Sequence, residues 1–414
     1  MNRREFLQST LAAAALGALA SAPRLPAGEA PASAPAELKI TRRSFAGGKI
    51  TLPLLGFGMM RLPTAGDAID APTAEKMIAR AFASGLNYFD TAYMYHGGQS
   101  EKFAGEALKK YPRDSFMLTS KLPVRNLRQP EDMERIFNEQ LTKCQTPYFD
   151  FYMLHALNAA LWERAEQFHA YDFLLRKKAE GKIRYLGFSF HDTPEVLQKI
   201  AGAHPWDFAQ IQLNYLDWEL YRSREQYEIL TKAQIPVIVM EPLRGGTLAR
   251  LNPGAVDILR NADAQHSPAS WGLRYAASLP NVVCVLSGMT RPEHLEDNLR
   301  TFSPFIPLAD NERQTLAAAL TAYRQGLAVP CTSCNYCQPC PVGVAIPKIF
   351  GLYNQYKETG NRWQFGGGYQ ALKASERADA CVKCRRCVKA CPQHIDVIGQ
   401  LQKIAAEAEP LLKG

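Results

Sequence analysis

The sequence predicts an α/β protein: a (β/α)8 TIM barrel followed by a small cysteine-rich module. Three observations carry this reading. Between Lys39 and Phe302, short apolar runs alternate eight times with amphipathic helical stretches, the layout of such a barrel. Eight of the 10 cysteines fall between residues 331 and 391, whereas a disulfide scaffold spreads them along the chain. The turn after the first strand, Gly56-Phe57-Gly58-Met59-Met60-Arg61, lacks the third glycine and the immediate helix of the competing doubly wound sheet.

Composition bounds the rest. At 414 residues the chain exceeds one average domain. Hydrophobic residues are 47% and charged residues 21%, which excludes wholesale disorder. The net charge of +8 is mild, with 40 acidic against 48 basic residues, so no nucleic-acid partner is expected.

The N-terminus reads as a targeting segment, residues 1–20. Asn2-Arg3-Arg4-Glu5-Phe6-Leu7 precedes the apolar run Leu11 to Ala20, and Ala18-Leu19-Ala20 offers a cleavage site before Ser21. The arginine pair followed by Phe-Leu resembles a twin-arginine signal, which implies export to the periplasm. The alternatives are a disordered tail with an accidental arginine pair, or an uncleaved signal that anchors the chain. A Pro/Ala-rich linker fills residues 21–38. No other stretch is long and apolar enough to span a bilayer, so membrane contact is expected only through the signal segment.

The barrel is expected over residues 39–305. Its strands are Leu55–Met60, Tyr88–Ala92, Phe116–Leu122, Phe149–His155, Ile183–Phe190, Phe208–Tyr215, Pro236–Pro242 and Val282–Gly288. The helical stretches between them include 74–83, 100–110, 131–144, 165–180, 194–201, 224–233, 268–278 and 292–302. Ile40–Leu54, with Gly47-Gly48 in its middle, reads as a hairpin closing the barrel floor. Residues 306–330 form a linking helix.

Four strand ends carry polar groups that a barrel core does not need. The second strand ends in Asp90 with Tyr95 shortly after, the third in Lys121, the fourth in His155 and the fifth in Ser189. In a TIM barrel these ends build the active site. A lone polar residue there is ordinarily a helix cap or a solvated loop group, but several together on one face form a set. A Tyr beside a Lys ammonium is expected to titrate below its usual value near 10. Asp90 would keep that Lys charged and in place, and His155 would orient a carbonyl oxygen. Such a set donates a proton to an oxygen that gains charge as hydride reaches carbon.

The segments Asp90-Thr91-Ala92-Tyr93-Met94-Tyr95, Ser100-Glu101, Lys121, Asp150-Phe151-Tyr152-Met153-Leu154-His155 and Gly181-Lys182-Ile183-Arg184-Tyr185-Leu186-Gly187-Phe188-Ser189 resemble the aldo/keto reductase superfamily. The resemblance covers roughly residues 39–302. It implies a catalytic set of Asp90, Tyr95, Lys121 and His155, with Tyr95 as proton donor to a small carbonyl substrate, or as acceptor from an alcohol. It also implies NADP(H) or NAD(H), with Ser189 and Gln212 at the carboxamide, and Met240 where a ring usually stacks, before Leu243. Ser287, Gly288, Asp297 and Asn298 then resemble the adenosine-phosphate loop. The usual Asn after Ser189 is replaced by Phe190, with His191 next, and no basic residue stands at Gly288 or Met289.

The module at 331–414 carries Cys331, Cys334, Cys337 and Cys340 before Pro341, and Cys381, Cys384, Cys387 and Cys391 before Pro392. The second run has the spacing of bacterial ferredoxins, and the first is one residue shorter at its last gap. Two [4Fe–4S] clusters in a ferredoxin-like iron–sulfur domain are expected. In two-cluster ferredoxins the fourth cysteine of such a run ligates the other cluster. Two four-cysteine zinc sites or disulfides are the alternatives; zinc sites usually pair two knuckles across a longer gap. Ferredoxin modules occur on this barrel in one branch of the superfamily, which the shortened motif resembles. Cys144 and Cys284 are expected to be buried and inert. The insertion between the motifs, with Gln364-Phe365-Gly366-Gly367-Gly368-Tyr369, reads as a helix plus a glycine-rich loop closing over the barrel or the clusters. Lys383, Arg385, Arg386 and Lys389 either neutralise a cluster or form a docking face for an acidic electron carrier.

Two functions follow. One is an oxidoreductase in which barrel and clusters exchange electrons. The other is an exported relay or binding protein whose barrel no longer turns over free nicotinamide.

Overall fold

Eight parallel strands close on themselves in the computed structural model, which describes residues 38–324, 328–331 and 334–412. The targeting segment and all but the last residue of the linker lie outside them. A hairpin comes first, β1 (Arg42–Phe45) against β2 (Ile50–Pro53), turning through positive φ at Ala46, Gly47 and Gly48. The first barrel strand is β3 (Leu55–Gly58), followed by a small ribbon of β4 (Thr64–Ala65) and β5 (Ala68–Ile69). The barrel continues with β6 (Tyr88–Asp90), β7 (Met117–Leu122), β8 (Phe149–Leu157), β9 (Ile183–Phe190), β10 (Phe208–Gln212), β11 (Val237–Met240) and β12 (Val282–Ser287). Closure comes from β12 pairing with β3, Val285 opposite Leu55.

The floor is plugged as the hairpin reading expects. Phe45 and Leu52 join Tyr88, Phe151, Phe208, Ile238 and Cys284 in one buried cluster. Alternating side chains of parallel strands fill such an interior. Gly187 is needed here: a Cβ would stand 2.5 Å from the Phe208 carbonyl oxygen.

Several elements depart from the sequence reading. β8 runs past His155 to Leu157, across a bulge where Ala156 takes positive φ and its N–H donates to Ser189 Oγ at 2.7 Å. The expected helix 165–180 is two, Ala159–Gln167 and Ala170–Ala179, broken at His169 with φ 53°. An unforeseen helix, Pro253–Ala262, packs Leu259 against Leu316 and Tyr323 of the linking helix Asp310–Arg324. That linking helix is tied to the barrel by Arg274, which holds Glu312 through bonds of 2.7 and 2.9 Å.

The C-terminal module has its own core. Ile349, Phe350 and Tyr353 of helix Ile346–Thr359 meet Phe365 and Tyr369 of helix Arg362–Gln370, and Leu401 and Ile404 of helix Val397–Leu412. The glycine-rich segment is therefore helix, not a closing loop. Gly368 lets it pack closely, since a Cβ there would stand 2.7 Å from Leu352 Cδ2. No helix among the described residues is long and apolar enough to cross a membrane.

Candidate active site and cluster module

β6, β7 and β8 are neighbours, so their C-terminal ends bring Asp90, Lys121 and His155 to one mouth of the barrel. Tyr95 follows β6 in a tight turn with positive φ at His96 and Gly97. Lys121 Nζ donates to Asp90 Oδ1 at 2.6 Å and to the Thr91 carbonyl at 2.8 Å. The same ammonium lies 4.8 Å from the centroid of the Tyr95 ring. The Tyr95 and His155 rings meet edge to face, their centroids 6.1 Å apart. The sequence-predicted tetrad is thus one cluster of side chains.

Its electrostatics correct one expectation. Burial, then the Asp90 and Glu241 carboxylates, hold the Tyr95 phenol well above its ordinary value, with Arg61 opposing. Lys121 does not lower it, because its ammonium is spent on Asp90 and the Thr91 carbonyl. Tyr95 is therefore a neutral hydroxyl, a donor rather than a phenolate. Burial, then Lys121, Arg125 and His191, push His155 well below the usual imidazole range, so it too is neutral. Burial pushes Asp90 up and Lys121 down, and their mutual attraction opposes both shifts.

A cleft of about 960 Å³ runs outward from Asp90 and Tyr95. Gln212, Met240, Leu243, Ser287, Gly288, Asp297 and Asn298 all line it. Ser189 does not; it is buried against Ala156, and His191 lines the cleft in its stead. Burial, Arg125 and His394 push His191 down to about 4. Asn298 Nδ2 donates to Ser287 Oγ at 2.9 Å, and Ser267 Oγ donates to Asp297 Oδ2 at 2.6 Å.

The same cleft is lined by four residues of the cysteine module: Cys334, Tyr336, Pro392 and Gln393. Tyr336 also walls the small recess beside His155, with Arg125 over its ring at 5.4 Å. Arg244 Nη2 donates to the Pro330 carbonyl at 2.9 Å. Gln393 exchanges two bonds with Gln212, at 2.7 and 3.0 Å. Glu241, Tyr336 and Gln393 were not singled out from the sequence. Only their places beside Met240 and inside or after the cysteine motifs pointed to them.

The cysteines regroup across their motifs. Burial and the neighbouring Cys334, Cys331 and Cys391 push the Cys337 thiol up to about 12. Burial raises Cys387, whose near thiols are Cys381 and Cys384. Cys340, Cys381, Cys384 and Cys387 line one interior space with Val342, Val344, Ile346 and Leu401, which Cys337 also borders. Thiols gathered in this way are costly as thiolates unless iron balances their charge. Soft sulfur donors around an apolar space fit iron–sulfur clusters. Cys144 and Cys284 are buried, and burial raises both thiols, as expected of inert groups.

The outer cleft is lined by residues that the resemblance assigns to a dinucleotide, Met240, Ser287 and Asn298 among them. Its inner end does not fit one in this arrangement, because both hydrogens of the Gln212 amide are taken, by Asp217 at 2.7 Å and by Gln393.

Comparison with known proteins agrees with this division. The model of the aldo/keto reductase family matches residues 54–320, and that of the 4Fe-4S dicluster domain matches 330–396. The NADH-specific methylglyoxal reductase of Escherichia coli is 24% identical over 312 residues, 63% of this chain and 93% of that protein. A probable aldo-keto reductase 1 of Glycine max is 26% identical, but the match spans only 56% of its length and 46% of this chain. Among solved structures, the thermostable aldo-keto reductase Tm1743 superposes with a TM-score of 0.56 at 23% identity, covering 68% of this chain and all of that one. The aldo-keto reductase AKR11C1 of Bacillus halodurans, in its holo form, gives 0.55 at 24% identity, covering 68% of this chain and 96% of that one.

Proposed function

Because this chain belongs to the aldo/keto reductase family and carries a 4Fe-4S dicluster domain, we propose that it reduces a small carbonyl at Tyr95, or oxidises the matching alcohol, with electrons passing through the module. One observation carries the reading: Cys334, Tyr336, Pro392 and Gln393 line the same cleft as Asp90 and Tyr95. Barrel and module therefore share one site.

Reduction of a carbonyl to an alcohol consumes two electrons and two protons; the two clusters would supply one electron each, solvent water the proton that reaches carbon, and Tyr95 the proton that reaches oxygen. Tyr95 delivers the proton to the oxygen; as a neutral, buried phenol it holds that proton until charge develops on the substrate. Neutral His155 orients the oxygen by hydrogen bonding. Lys121, fixed by Asp90, lies against the Tyr95 ring and holds it in place. Tyr336 of the module walls this mouth beside Tyr95 and His155. Cys331, Cys334, Cys337 and Cys391 would hold the cluster nearer the cleft, and Cys340, Cys381, Cys384 and Cys387 the outer one. When bound, such clusters supply one-electron transfer.

The outer group includes the exposed Cys384, beside Val382, which is 62% exposed. Lys383, Arg385, Arg386 and Lys389 surround it, a face suited to an acidic electron carrier. Arg3-Arg4 and the apolar run behind them would send the folded protein to the periplasm.

The test is Tyr95→Phe, which removes the proton and keeps the ring. It is expected to lower kcat by roughly 10²-fold or more with cluster content unchanged; activity within a factor of a few of the parent would assign the proton to another group. The occupied Gln212 amide favours a second reading, a relay whose barrel no longer turns over free nicotinamide.

A further inference from the structure

We infer that Gln393 of the cluster module is a gate for nicotinamide: its side-chain amide occupies the barrel's carboxamide receptor, so docking of Gln393 and of a nicotinamide carboxamide are mutually exclusive. The receptor is visible in the structure itself. Gln212 Nε2 donates to Gln393 Oε1 at 3.0 Å, and Gln393 Nε2 donates back to Gln212 Oε1 at 2.7 Å. This is reciprocal recognition of one primary carboxamide by another, and the nicotinamide ring carries the same group.

Donor capacity makes the reciprocal pairing exclusive. A primary amide has two N–H donors. The second donor of Gln212 goes to Asp217 Oδ2 at 2.7 Å, and that carboxylate also takes Asn214 Nδ2 at 2.7 Å and pairs with Arg244 Nε at 3.1 Å. Gln212 is wholly buried, so it has no freedom to turn to a third partner. A ligand amide can form the same reciprocal pair of bonds with Gln212 only in the place of Gln393.

The receptor lies on the cleft that begins at Asp90 and Tyr95, with Met240 and Leu243 further along its wall. A dinucleotide reaching the tetrad therefore meets it. Gln393 is two residues beyond Cys391 and directly after Pro392, whose ring limits the local backbone. Arg244 Nη2 binds the Pro330 carbonyl beside Cys331, so the barrel grips the module at both cysteine runs. Releasing Gln393 is thus coupled to the segment that bears the cluster ligands. The inference rests on the reading of the cleft as a nucleotide site.

The experiment uses the cluster-loaded protein, purified anaerobically, and its Gln393→Ala variant. Binding of NADPH, NADH and ADP-ribose, which lacks the nicotinamide, is measured by calorimetry, and the visible spectrum reports on the clusters. The inference expects NADPH or NADH to bind the variant about tenfold more tightly, the scale of the hydrogen bonds that Gln393 gives up to Gln212 and Arg244. ADP-ribose affinity should stay the same, and so should the cluster spectrum. Equal tightening of ADP-ribose, unchanged affinity, or weaker binding of the intact dinucleotide would each overturn the gate. If ADP-ribose binds but the dinucleotide gains nothing, the gate alone fails and the nucleotide cleft stands. If none of the three binds either protein, both fail, while the Tyr95→Phe test of carbonyl chemistry is untouched.

Discussion

Lys121 and Asp90 form a buried ion pair, Nζ to Oδ1 at 2.6 Å, with side chains only 1% and 3% exposed. That pair holds the ammonium against the Tyr95 ring, so it ties the stability of the barrel mouth to its chemistry. Removing one partner leaves an uncompensated buried charge, at a cost of about 3–5 kcal/mol. Asp90→Leu is expected to lose stability on that scale by denaturant unfolding. Asp90→Leu with Lys121→Met should regain most of the loss and stay inactive. A double variant no more stable than Asp90→Leu would show that the loss came from packing.

The barrel was legible because its strands and helices alternate eightfold, and the tetrad because strand ends are the exposed chemical positions of such a fold. The break at His169 was not legible: positive φ at a non-glycine residue leaves no mark in periodicity. The helix through Gly366–Gly368 was missed because local glycine preference argues for a loop, and the close approach of Leu352 overrides it. Ser189 was placed by resemblance, and the bulge at Ala156 turned its hydroxyl to the backbone. Gln393 was invisible for another reason. Its meaning depends on Gln212, 181 residues away in sequence.

The two neutral imidazoles set a pH dependence. His191 is held near 4 against an ordinary 6.5, and burial, then Lys121, Arg125 and His191, hold His155 well below its ordinary value. At these two imidazoles the unfolded chain therefore binds more protons than the folded one below pH 6.5. Stability is fully present above that pH and is lost as pH falls toward 4. Denaturant midpoints at about pH 7.5 and about pH 5.5 should show the drop, and His191→Asn should shrink it. A midpoint that rises on acidification would contradict the assignment.

Two cubanes require iron and sulfide near eight each per chain. Because the thiols regroup across motifs, Cys391→Ser should disturb the cluster held by Cys331, Cys334 and Cys337. Cys340→Ser should instead disturb the one held by Cys381, Cys384 and Cys387. Electron paramagnetic resonance of the reduced variants separates the two signals. Stoichiometric zinc without the broad visible absorbance would replace the cluster assignment.

Eight thiols reaching an oxidising compartment unfolded would form disulfides, so the clusters are expected to be built before export. Arg3→Lys with Arg4→Lys should leave a folded, cluster-loaded precursor in the cytoplasm. Cys384→Ser with Cys387→Ser should lower export as well. Fractionation with iron analysis reads both, and normal periplasmic yield of the double-Lys variant would refute the twin-arginine route.

The central claim is that tetrad and cluster module act on one substrate in one cleft. The most direct measurement is anaerobic stopped-flow absorbance, mixing protein whose clusters have been reduced with a small carbonyl compound. The account predicts that the clusters reoxidise as the alcohol forms, two electrons per carbonyl, and that Tyr95→Phe slows both events together by roughly 10²-fold. Alcohol formed at the parent rate while the cluster absorbance stays unchanged would contradict it.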